Sequence, residues 1–150
     1  MLIKTKCFGE VDIQEDKIVT FDLGLMGFEN YKRYTLIYNN ERNTSMSWLQ
    51  SIDEPSLAMP VISPYAVKTD YNPKVSDDIV GSLGELDEEN LIILVTMRVP
   101  EDITKMTVNL KAPLLVNAST RQGVQDIVDN LDYPIKYEIY DIVRQKKEGA

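Results

Sequence analysis

Residues 46–64 read MSWLQSIDEPSLAMPVISP: two bulky, β-prone runs, 46–50 and 57–62, separated by a short stretch holding two acids and a proline. Pro55 has no N–H to give to a central ladder, and Asp53 and Glu54 are too costly to bury unpaired. Residues 51–55 therefore read as an exposed connection between two adjacent strands that pair as a hairpin. Turn chemistry explains Asp53 and Pro55. It explains Glu54 less well, because glutamate is a weak turn former, and Ile52 less well still, because it is an apolar group at an exposed tip. An apolar residue flanked by acids suits a basic, partly apolar surface. Ile52, Asp53 and Glu54 are thus candidate partner-binding residues as well as turn residues. Trp48, the only tryptophan, shares the first run with Met46 and Gln50 and is expected in the core.

The same pattern of short runs between turn residues extends in both directions. Upstream, β-like pieces at 3–8, 11–13 and 18–21 are separated by Gly9-Glu10 and Glu15-Asp16, and 34–38 resumes as a strand closed by Asn39-Asn40. Gly24 and Gly27 interrupt any periodicity between them and supply backbone freedom for a turn. Phe28 and Glu29 follow directly and are further candidate partner-binding residues, Phe28 as a barrel cap or a partner anchor. Downstream, Ser76 can cap a helix over 76–86, with Asp77 and Asp78 at its positive end and Ile79, Leu83 and Leu86 on one face. The run 90–100 is apolar on both faces and reads as a central strand stopped by Pro100. Further strands are expected at 106–110, 114–117, 124–128 and 135–139, then a short helix or frayed tail from Asp141. Many short strands with one or two short helices indicate an all-β fold, a compact antiparallel β-barrel-like single domain over residues 1–150.

Composition excludes several function classes. With 43% hydrophobic and 27% charged residues the chain is of ordinary globular type, and its longest apolar run, Leu91 to Val95, cannot span a bilayer. MLIKTKCFGE at the N-terminus lacks the apolar region of a secretory signal, and one cysteine, Cys7, fits a reducing cytoplasm. A net charge of −8 with scattered basic residues argues against direct nucleic-acid binding and suits a basic protein partner. The absence of histidine removes imidazole-based catalysis and histidine-ligated metals, and a single cysteine removes thiolate clusters. No phosphate loop or dinucleotide fingerprint occurs, so no cofactor is expected. The acidic run at 85–89 lacks calcium-loop spacing and reads as a solvated turn. Adjacent carboxylates in exposed turns leave one alternative, a small hydrolase or carbohydrate-binding module using surface acids.

GLMGFENYKRYTLI (24–37), WLQSIDEPSLAMPVISP (48–64), NLIILVTMRVPED (90–102) and NLKAPLLVNASTRQGVQDIV (109–128) together resemble the flagellar assembly factor FliW family. The specificity lies in the order and spacing of the four, which span nearly the whole chain. Met59 departs from the pattern, standing where an aromatic is expected. The resemblance implies a β-barrel-like fold and no catalysis. It also implies two cytoplasmic partners bound in exchange: flagellin, and CsrA, a small dimeric RNA-binding repressor of flagellin translation. CsrA would be antagonised allosterically or through charge, away from its RNA-contacting surface.

Overall fold

The computed structural model describes residues 1–38 and 46–148, so the expected Asn39-Asn40 turn lies outside the described residues. The strands are β1 (Leu2–Thr5), β2 (Gly9–Asp12), β3 (Val19–Phe21), β4 (Arg33–Tyr38), β5 (Met46–Ser51), β6 (Ala58–Ile62), β7 (Leu91–Arg98), β8 (Thr107–Val108), β9 (Leu114–Asn117), β10 (Gln122–Gln125) and β11 (Tyr137–Glu138). Two helices, α1 (Asp77–Ser82) and α2 (Tyr140–Glu148), complete the set. No described helix is long and apolar enough to cross a membrane.

The expected β-barrel is present. Strands β3 to β7 run as an antiparallel meander, β9 pairs with both β7 and β10, and β10 returns to β3, which closes a seven-stranded ring. Direction cannot alternate all the way round a ring with an odd number of strands. One ladder must be parallel, and it is the short β3–β10 seam, Thr20 opposite Gln122 and Phe21 opposite Gly123. Phe21, Tyr34, Leu49, Val61, Leu94 and Leu114 fill the barrel interior. Phe21 and Tyr34 meet edge to face at 5.7 Å, and burial pushes the Tyr34 hydroxyl up to about 12.

β7 is buried on both faces, as its sequence predicts. Leu94 points into the barrel, while Val95 joins a second cluster with Tyr71, Leu110, Val128, Tyr133 and Ile139 outside it. Helix α1 is shorter than its pattern: Ser76 Oγ accepts from Ile79 N–H, but Gly84 takes a left-handed φ of +80° just after the final turn. The alternation at 135–139 overstates its strand. Pro134 accepts from Leu110 N–H, only Tyr137 and Glu138 pair with β8, and Ile135 is 62% exposed.

Trp48 departs from expectation as well. Leu49 is the inward residue of β5, so Trp48 lies half-buried on the outer face, opposite Ile37 and Pro60. There the β1–β2 hairpin covers it, Phe8 meeting its ring edge to face at 6.0 Å.

At the seam, a methyl group on Gly123 would stand 2.6 Å from the Phe21 ring. Gly123→Ala should therefore destabilise the protein by about 1–3 kcal/mol through overpacking, read as a lower urea midpoint at unchanged slope. Phe21→Leu in the same chain should recover part of that loss.

Candidate functional site

The meander sends β3 and β5 toward one end of the barrel and brings β4 and β6 back from it. The 22–32 loop and the 52–57 turn therefore sit on the same rim. That places Phe28 and Glu29 at the same end as Ile52, Asp53 and Glu54.

The 22–32 loop is rigidly placed. Leu25 is buried in the barrel interior, and Met26 N–H donates to Gln125 Oε1 on β10 at 2.8 Å. Gln125 Nε2 donates in turn to Ala112 carbonyl, so this side chain spends both ends on backbone. Gly24 has φ +70°, and a methyl group there would lie 2.6 Å from Glu29 Cα, so only glycine permits this path. Phe28 bridges back to Leu25 yet remains 40% exposed, with Met26 beside it at 46%. Hydrogen bonds from its own N–H and from Gly27 N–H hold the Glu29 carboxyl below the usual carboxylate range.

The 52–57 turn answers the question its acids raise. Ser51 is fully buried, and its Oγ accepts from both Asp53 and Glu54 N–H at 3.2 and 3.0 Å. Leu57 N–H donates to Glu54 carbonyl, and Lys6 N–H of the hairpin donates to Pro55 carbonyl. Gln50, also fully buried, donates through Nε2 to Ser51 and Pro55 carbonyls. Asp53 is not a bare acid: Arg33 on β4 grips it through Nη2 at 2.6 Å and Nε at 3.3 Å. Glu54 is bound by Ser56, whose Oγ and N–H donate to Oε1 and hold its carboxyl below the usual range. Ile52 is half-buried, its N–H donating to Arg33 carbonyl.

A groove of ≈ 270 Å³ opens between the 22–32 loop and strands β6 and β7, lined by Leu25, Met26, Phe28, Met59, Met97 and Leu114 among others. The sequence points to Phe28 and Met59 but not to the groove, because its walls come from segments as far apart in the chain as Leu25 and Gln125. Chemically this rim sets exposed apolar side chains beside carboxylates. A hydrolytic carboxylate pair needs one acid kept protonated at neutral pH, whereas Glu54 is lowered and Asp53 is ion-paired.

The FliW protein family model matches residues 2–139. This chain belongs to the FliW family. It is 47% identical over 150 residues to the flagellar assembly factor FliW of Lachnospira eligens, covering 98% of this chain and 99% of that one. It is 48% identical over 154 residues to the flagellar assembly factor FliW of Lachnoclostridium phytofermentans, covering 100% and 99%. A crystal structure of the flagellar assembly factor FliW superposes with a TM-score of 0.85 at 29% identity, over 93% of this chain and 97% of that one. These FliW relatives are named as assembly factors and not as enzymes.

Ser51, rather than the acids, holds the turn of this FliW rim. Ser51→Ala should cost about 1–3 kcal/mol by leaving two N–H groups unserved. Asp53→Asn, at a half-exposed ion pair, should cost no more than about 1 kcal/mol. Paired urea denaturation curves check the order.

Proposed function

We propose that this protein is a non-enzymatic cytoplasmic flagellar assembly factor that binds flagellin and, in exchange, the RNA-binding repressor CsrA. The observation that carries the reading is full-length kinship with proteins named as flagellar assembly factors. The rim adds physical support. It presents an exposed aromatic, Phe28, and two ionised carboxylates, Glu29 and Glu54, held by their own turns. Aromatic anchors beside charge are what a protein interface uses.

The mechanism follows from charge. A body of charge −8 docked beside a basic RNA-binding groove lowers the attraction of that groove for phosphate through its field, without occupying the groove. When flagellin is secreted, the freed factor captures CsrA, and flagellin messenger is released for translation. The two partners exclude each other because one small barrel offers few separate faces of standard interface size, ~800 Å² per partner. Within the acidic turn, Glu54 contributes more to steering CsrA than Asp53, whose charge Arg33 already offsets.

One set of binding measurements tests this. Purified parent should bind flagellin and CsrA separately, and size-exclusion chromatography of all three should give two binary complexes and no ternary one. Reversing Asp53 and Glu54 to lysine should leave the thermal midpoint nearly unchanged and slow CsrA association, most at low salt. Recovery of neither partner by the parent would sink the reading. A stable ternary complex would sink the exchange.

A further inference from the structure

We propose that the rim groove is a socket for one or two bulky apolar side chains of a partner segment that carries lysine or arginine beside them. This rests on the reading of the protein as a partner-binding factor, and it names the chemistry that the partner must bring.

The size of the groove sets the class of occupant. At ≈ 270 Å³ it falls below the ~300–1,000 Å³ typical of small-molecule sites and suits individual side chains. Two of its polar side chains are already engaged by the fold. Gln125 serves Met26 N–H and Ala112 carbonyl, and Asn109 Oδ1 accepts from Lys111 and Ala112 N–H. Thr96 apart, the other lining side chains are apolar.

The walls are adaptable where they meet an occupant and rigid beneath. Three of the six methionines of the chain, Met26, Met59 and Met97, line this one groove. Unbranched thioether side chains reshape around different apolar partners at little cost. The loop behind them cannot fold inward to bury Met26 and Phe28, because Gly24, Leu25 and the Met26–Gln125 bond fix its path. The exposed apolar surface is thus pre-organised, and covering it carries no loop-ordering penalty.

Charge selects the flanks of the occupant. Glu29 follows Phe28 directly, and Glu54 lies in the turn that leads into Ala58, another lining residue. Both carboxylates stay ionised and are fixed by their own turns. A lysine or arginine next to the inserted apolar residue meets them; an acidic neighbour is repelled.

The methionines supply the readout. In the full chain labelled at methionine methyls, the basic peptide acetyl-Leu-Ala-Phe-Lys-Lys-amide at millimolar concentration should shift Met26, Met59 and Met97 saturably. Met1, Met46 and Met106, which lie outside the groove, should stay still. The matched peptide ending in Glu-Glu should bind about tenfold more weakly, as should the basic peptide with Phe28→Ser protein. If Phe28→Ser disturbs the loop, Phe28→Leu combined with Glu29→Gln serves the same comparison. The proposal is overturned if the groove methyls do not move, if all six move together, or if the acidic peptide binds equally well. It is also overturned if a natively folded Phe28 variant keeps the full shift. Flagellin and CsrA, tested on the same labelled protein, separate the two levels. Groove shifts with the peptide but no binding of either protein would sink the functional reading alone. Binding of either protein while the peptide leaves the groove methyls unmoved would sink the socket alone.

Discussion

A ring of seven strands must contain one parallel ladder, and much of this molecule follows from where that ladder falls. The β3–β10 seam is short, and it closes without crowding because position 123 has no side chain to meet the Phe21 ring. Once β3 lies beside β10, the chain leaving β3 passes the end of β10 within reach of Gln125. That bond and the plug formed by Leu25 hold Phe28 on the rim. The candidate site is thus set by the closure of the barrel, from residues of its own wall.

The second half of the rim depends on a different economy of bonds. Two acids, an isoleucine and a proline between strands would be a loose tip if left to themselves. Here a buried serine accepts from two backbone N–H groups, a buried glutamine serves two carbonyls, and the N-terminal hairpin donates to Pro55. Arg33 neutralises one acid, and Ser56 holds the other. The turn is therefore structural in Ser51, Gln50 and Asp53, with Glu54 fixed beside them by Ser56. Rigid loops that present charge and apolar surface are suited to binding, since little ordering is lost when a partner arrives.

Much of this architecture was legible in the sequence. Short β-prone runs between glycine, proline and acidic pairs located most strands; a serine before two aspartates located α1; a run apolar on both faces identified β7 as central. Four motifs in order resembled the family that the comparisons then established. The parallel seam was not legible, because parity belongs to the closed ring and not to any one strand. Trp48 is expected in the core but lies half-buried on the outer face, where its cover comes from Phe8, forty residues earlier, and not from the barrel interior. The Arg33–Asp53 pair depended on the register between β4 and β5, which local pattern does not specify. The groove has no local signal at all beyond an unusual methionine at position 59.

Hydrogen exchange across the whole chain, with and without a saturating partner, tests the central claim most directly. If the rim that carries the 22–32 loop and the 52–57 turn is the binding face, flagellin should slow exchange at the amides of Met26, Gly27, Phe28, Asp53 and Glu54. Amides at the far end of the barrel, from Gly84 to Asn90 and from Ala118 to Arg121, should exchange as before. Protection confined to that far end, with the Phe28 and Glu54 amides unchanged, would contradict the account.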